Sequence, residues 1–317
     1  MAVSRARGLS LAWRAAYEAA SHKAFALACR AVALLPRRAL PAAAWIAAAM
    51  QVVLSPGRAR SHYRNTGLIL SAGRAGSPRR LALTFRALRS FGLFVLEFLK
   101  TSSMSPEEIL QGFRFEGLDE LSRALGKGRG AVLVTSHIGN WEAGALALAA
   151  LGYRLHVVAA VQFSTSLSPH VKALKRDAGV GVISPGPGDY RRLVDALRAN
   201  EAVALVVDGD TFERGLEVPF FRGRLRAPAG PARLAGMTGA SVVSTHVVRK
   251  APLRFEMAFK TLWDGAGEGL LSRDDPGFVR DLTCTIMAEQ ERAIERNLDQ
   301  WCIFRPLWEA SGERDGA

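Results

Sequence analysis

From Phe113 onward, short apolar and partly β-branched runs alternate with longer stretches whose apolar residues recur at helical spacing. Strand-like runs fall at 130–135, 154–161, 179–184 and 202–207, and helix-like patterns at 141–151, 168–177 and 190–200. Alternation of this kind predicts an α/β fold with a mainly parallel central sheet flanked by helices. Further strands are predicted at 241–248 and 254–261, a short helix at 232–238 led in by Pro228, Gly230 and Pro231, and a long amphipathic helix at 277–297. Ahead of these, apolar stretches at 24–35 and 39–54 are interleaved with arginines. The Gly, Ser and Pro content of 71–78 marks a connection between two groups of N-terminal helices.

At 317 residues and 49% apolar content, the chain has ample material for a core, and general disorder is excluded. Its net charge of +13 is unevenly divided. Residues 1–100 hold sixteen Lys or Arg against two acids, Glu18 and Glu97, a balance of +14, so the remainder stands at −1. We therefore divide the chain into a basic, helical, membrane-associating region, 1–105, and an α/β domain, 106–317, built as one continuous fold. Basic residues beside amphipathic helices suit an anionic membrane surface. The competing reading is a solvated arginine excess. Nucleic acid ranks below both, because zinc-ligand spacing, an RNP-like aromatic run and a basic zipper are all missing.

A membrane-spanning helix needs about 20 apolar residues. The best candidate, 39–54, is shorter and interrupted by Pro41 and Gln51. The first residues lack the apolar core and cleavage site of a secretory signal. The expected location is the cytoplasmic face of the inner membrane, peripheral or monotopic. Cys29, Cys284 and Cys302 are too scattered for a disulfide framework or a zinc site, and the six histidines form no ligand cluster, so no metal is expected.

The candidate chemistry begins at HIGNWE, 137–142, where the strand 130–135 runs into a helix. His137 then stands at the carboxyl end of a strand, where open α/β sheets keep their ligand crevices. A histidine whose ring is held by a carboxylate serves as a general base. Glu142 lies five positions on, and Asp208 and Asp210 end the strand 202–207, so any of the three acids can orient the imidazole. Structural roles compete with each of these: a hydrogen-bonded core histidine, a glutamate favourably placed at a helix start, and Gly139 and Asn140 as turn and cap.

Val218-Pro219-Phe220-Phe221 offers an apolar wall, and Arg222, Arg224 and Arg226 alternate on an extended segment able to grip a phosphate or an acidic carrier. The alternative is an edge strand with solvated arginines. The GxSxG elbow of a serine hydrolase is missing, and Ser136, adjacent to His137 on a strand, faces the other way. Gly186-Pro187-Gly188-Asp189 lacks the lysine and hydroxyl of a Walker loop and reads as a turn.

Taken in order, HIGNWE, VDGD at 207–210, VPFF at 218–221, APAGPARLAGMTGA at 227–240 and QWCIFRPLW at 300–308 resemble the lipid A biosynthesis acyltransferases and the related phosphatidylinositol mannoside acyltransferases. The resemblance runs from about Tyr63 to Trp308. It implies a glycerolipid acyltransferase-like fold and acyl transfer from an acyl-ACP or acyl-CoA thioester to a hydroxyl of a membrane glycolipid or phospholipid-like acceptor, with no cofactor besides that donor.

It further implies His137 as general base and Glu142 as its orienting acid, with Asp208 as a second catalytic carboxylate. Asn140, Asp210, Phe220, Phe221, Arg222 and Arg224 are the expected substrate contacts, the phenylalanines toward an acyl tunnel. The family frequently places a polar residue between the two acids, where this chain has Gly209. Oxyanion donors are expected from backbone amides around Gly139 or from a nearby arginine. A lipid thioesterase or hydrolase and a non-catalytic membrane-binding protein are the alternatives.

Overall fold

The computed structural model describes residues 23, 25–70, 78–101, 103–158, 168–183, 189–209, 215–265 and 275–307. Its strands are β1 (Phe113–Glu116), β2 (Ala131–Thr135), β3 (Leu155–Val158), β4 (Val180–Ile183), β5 (Ala202–Val206), β6 (Leu216–Phe220), β7 (Gly223–Ala227), β8 (Ser241–Ala251) and β9 (Arg254–Trp263). Seven of them form one sheet in the order β1-β9-β8-β2-β5-β3-β4, and β6 pairs only with β7.

From β8 across to β4 every pairing is parallel. The direction reverses at β9, which runs antiparallel to β8, with β1 parallel to β9. Between β8 and β9 lie only Pro252 and Leu253, too few residues for the crossover that parallel strands require, so a hairpin forms with Leu253 at φ +54.

The central strand accounts for its own sequence. All five residues of β2 are buried; Val132 and Val134 join one hydrophobic cluster, and Ala131 and Leu133 the other. A strand covered on both faces has no polar alternation, which is why 130–135 reads as an uninterrupted apolar run. The helices are α1 (Phe25–Leu34), α2 (Leu40–Leu54), α3 (Pro56–Ile69), α4 (Pro78–Thr101), α5 (Pro106–Leu110), α6 (Leu118–Gly126), α7 (Trp141–Ala150), α8 (Ser168–Asp177), α9 (Asp189–Arg198), α10 (Gly230–Thr238) and α11 (Pro276–Arg296). Leu197 of α9, Leu234 of α10 and Ile286 of α11 cover the face of Val132. Ile109 of α5, Leu121 of α6 and Leu146 of α7 cover the face of Leu133.

The expected strands and helices of 130–297 all form, with boundaries shifted by a few residues. The pattern did not single out β1, α5, α6 or β6, whereas the extended segment expected around Arg224 and Arg226 is β7. β1 has four residues, too few for a period to register, and Pro219 lies in a two-stranded hairpin outside the main sheet, where its missing N–H costs little.

The apolar N-terminal stretches are helical in α1 and α2, whereas residues 1–22 and, of the expected connection at 71–78, all but Pro78, which begins α4, lie outside the described residues. α4 packs onto the α/β body, with Phe94 stacked on Trp141 of α7 at a centroid separation of 4.2 Å. α2 leaves Trp45, Ile46, Met50, Val53 and Leu54 exposed. No single described helix is long and apolar enough to cross a membrane, and α2 and α3 meet at 100°.

Candidate active site

His137 follows β2 by two residues and Asp208 follows β5 by two, and the parallel register that pairs Thr135 with Val206 carries them to the same level. The His137 amide donates to Asp208 Oδ2 at 3.0 Å, and His137 Nδ1 lies 2.7 Å from Oδ1. Trp301 Nε1 donates to Oδ2 at 2.8 Å. Asp208 is wholly buried, while the His137 side chain remains 32% exposed at the carboxyl edge of the sheet.

Burial alone would raise the Asp208 carboxyl, but the adjacent His137 and the donors on both oxygens outweigh it and hold the group below the ordinary carboxylate range. An ionised carboxylate only accepts, so Nδ1 carries a ring proton, and in the neutral imidazole that leaves the lone pair on Nε2. The edge of the imidazole meets Trp141 at a centroid distance of 4.8 Å and an interplanar angle of 82°. The arrangement is a buried acid orienting a half-exposed base.

The turn carrying His137 is held on every side. Gly139 has φ +61, and a Cβ there would stand 1.9 Å from the carbonyl oxygen of Val247, so no other residue fits without moving β8. The amide of Ile138 donates to Ser136 O, that of Gly139 to Gln300 O and that of Asn140 to Val247 O, while Cys302 N donates to His137 O at 2.8 Å. The amides of 137 to 140 are therefore all spent within the fold. An oxyanion donor in this turn therefore has to be an amide other than these four, or the arginine that was the other expectation.

Asn140 is also buried; its Oδ1 caps α7 at Ala143 N, 3.0 Å away, and its Nδ2 donates to Glu97 Oε2 at 3.1 Å. Glu97 accepts from Arg249 Nε at 2.9 Å, and Arg249 Nη1 reaches Ser90 Oγ at 2.7 Å. This buried ion pair ties α4 and β8 to the turn behind His137.

The acids named in the sequence are thus distributed unequally. Asp208 takes Nδ1 of His137, whereas Glu142 pairs with Lys175 of α8 at 2.7 Å, both side chains being at most 5% exposed. Asp210 lies outside the described residues. Phe220 is fully buried in the main core, and Phe221 is half-buried, its amide bonded to Glu291 of α11. Arg222 and Arg224 are exposed on the β6–β7 hairpin, with Arg224 paired to Glu217. Ser136 faces the opposite side of the sheet and donates to Gln290 of α11 at 2.6 Å. Burial pushes the Cys302 thiol up to about 12, which keeps it from acting as a nucleophile. No group of His, Cys, Asp and Glu among the described residues is placed to hold a metal ion.

Sequence reasoning missed Trp301, although it lies inside the quoted QWCIFRPLW run. Lys175, Glu97 and Arg249 carried no signal.

Residues 18–310 match the family described as bacterial lipid A biosynthesis acyltransferase, and the chain belongs to that family. Among curated proteins it is similar to a phosphatidylinositol mannoside acyltransferase of Mycobacterium tuberculosis, 30% identical over 188 residues, which are 58% of this chain and 59% of the relative. A protein of the same name from Mycolicibacterium smegmatis is 29% identical over 163 residues, 50% of this chain and 54% of that one. The chain thus matches less than two thirds of the length of these relatives.

Proposed function

We propose that this chain is a membrane-associated acyltransferase that moves a fatty acyl group from an acyl-ACP or acyl-CoA thioester to a hydroxyl of a glycolipid, with His137 as general base. The observation that carries the reading is the imidazole at the carboxyl edge of the sheet, its Nδ1 held by a buried Asp208 and its Nε2 left to take a proton. The family name and the relatives' names support acyl transfer to lipid A precursors or mannosylated phosphatidylinositols, and the glycolipid is the class they share.

The acceptor hydroxyl attacks the thioester carbonyl as His137 Nε2 removes its proton, forming the new C–O bond. Asp208 stabilises the imidazolium. The tetrahedral oxyanion then collapses, the C–S bond breaks, and the departing thiolate takes the proton back from the ring. The oxygen ester forms without a covalent acyl-enzyme.

A membrane location at the cytoplasmic face of the inner membrane is supported by the exposed apolar residues of α2 together with Arg37, Arg38, Arg58 and Arg60 beside them in the chain. With purified protein, a thioester donor and a glycolipid acceptor, we expect acceptor-dependent thiol release that His137→Ala abolishes while vesicle binding persists. Release at the same rate without acceptor would make the protein a hydrolase. Unchanged transfer by His137→Ala would remove the base assignment.

A further inference from the structure

Arg305 closes the C-terminal segment against the site. Asn65 of α3, 2% exposed, clamps its backbone, donating from Nδ2 to Arg305 O at 2.8 Å and accepting the Leu307 amide at Oδ1 at 3.3 Å. The side chain itself is exposed, and it runs along Gly209, the residue after Asp208. A Cβ at Gly209 would lie 2.3 Å from Arg305 Nη2 and 3.3 Å from Cζ, so the guanidinium fills the space a side chain at this position would take. Gly209, between Asp208 and Asp210 in the chain, is thus the residue that admits the cation.

Among the described residues no carboxylate pairs with Arg305, in contrast to Arg249 and Arg224. A second arginine is held on the adjoining residue: Arg58 Cζ lies 5.3 Å from the Phe304 ring centroid and 5.0 Å from that of Phe91. It too pairs with no carboxylate among the described residues, and Glu97, the one acid between Lys23 and Lys100, is bound to Arg249. A fixed backbone and an exposed guanidinium fork with no counter-ion among the described residues together describe an anion receptor beside the reacting residues.

We propose that Arg305, seated in the space left by Gly209, binds a phosphate group of the substrate next to the His137–Asp208 pair. The assignment rests on the acyltransferase reading for its place in the reaction, but its test measures binding without turnover. Coenzyme A presents the phosphates of a donor. Phosphatidylcholine vesicles with and without phosphatidylinositol present those of a lipid acceptor.

Arg305→Gln in the full chain should weaken one of the two probes about tenfold, the scale of a lost charge-assisted contact. Loss of coenzyme A affinity assigns the donor; loss of the phosphatidylinositol-dependent increment assigns the acceptor. Gly209→Ser, which displaces the guanidinium, should weaken the same probe, and Arg305→Lys should fall between. In turnover, KM for that substrate should rise about tenfold with kcat unchanged. Wild-type affinity for both probes in Arg305→Gln, or an equal loss in Arg198→Gln on α9, would overturn the assignment. Wild-type affinity in Gly209→Ser would overturn the part given to the glycine.

Discussion

Replacing Asp208 by asparagine tests the site at its most constrained atom, because the change keeps the shape and alters only the hydrogen-bonding polarity of a wholly buried group. In the wild type Oδ2 accepts from the His137 amide and the Trp301 indole, and Oδ1 takes Nδ1 of His137. An asparagine can satisfy the two fixed donors with its carbonyl oxygen. Its NH₂ then faces Nδ1, which must accept and so moves the ring proton to Nε2, the nitrogen that has to be free. A base with its proton on the wrong nitrogen should lose roughly three to four orders of magnitude in kcat.

Folding should suffer far less, by about 2 kcal/mol, since one charge-assisted bond is reversed and two are weakened. The pH dependence carries a second signature. The Asp208 carboxyl is held below its ordinary value in the fold, so its stabilisation is present above the unfolded carboxylate range and lost as pH falls through the lower folded value. The melting temperatures of wild type and Asp208→Asn should therefore converge in acid. Acceptor-dependent thiol release together with thermal unfolding at several pH values measures both effects. A folded variant whose kcat falls by less than about tenfold would show that Asp208 does not set the tautomer, and the base would have to be sought elsewhere.

Two further predictions concern buried charge and buried histidine. Glu142→Gln alone should destabilise the protein by about 3–5 kcal/mol, because it leaves the Lys175 ammonium buried against an amide, and Glu142→Gln with Lys175→Met should regain most of that loss in chemical denaturation; a single variant as stable as wild type would refute the account. His62 is fully buried, with Nε2 3.1 Å from Trp301 O and Nδ1 3.2 Å from Thr84 Oγ1, and burial lowers its pKa to about 4. Below the unfolded value of about 6.5 the unfolded chain takes up a proton that the fold refuses, so stability should fall by about 3 kcal/mol as pH drops from about 6.5 to 4. His62→Gln should remove that part of the slope, and an identical slope in the variant would exclude His62 as its source.

The parallel part of the sheet was legible because a strand buried on both faces announces itself as a short apolar run, as β2 does, and because five of the sheet's strands are separated by recognisable helices. The direction of β9 was not, because it depends on a two-residue turn and not on any period. In the site, His137 and Asp208 were each visible as polar residues ending strands. Their pairing was one of three alternatives, since choosing Asp208 required knowing that β2 and β5 are neighbours although they lie far apart in the chain.

Glu142 shows that nearness along the chain does not by itself decide which partner a side chain takes. α7 begins at Trp141, and its first turn carries Glu142 to Lys175 of α8, a residue whose burial no local pattern discloses. The ion pair of Glu97 and Arg249 escaped for the same reason.

The division of charge was fully legible, yet its meaning changes with the fold. Sixteen cations against two acids in residues 1–100, interleaved with apolar stretches, suggested a region suited to an anionic membrane surface. The structure places Glu97 inside the protein, where a cation from β8 neutralises it, so this region has no acid left among the described residues to pair with its own arginines. Arg58 instead lies across Phe91 and Phe304, a contact that preserves its charge for an outside anion. What the N-terminal helices contribute is therefore more specific than positive charge: through Asn65 they fix the C-terminal backbone that holds Arg305 beside Gly209.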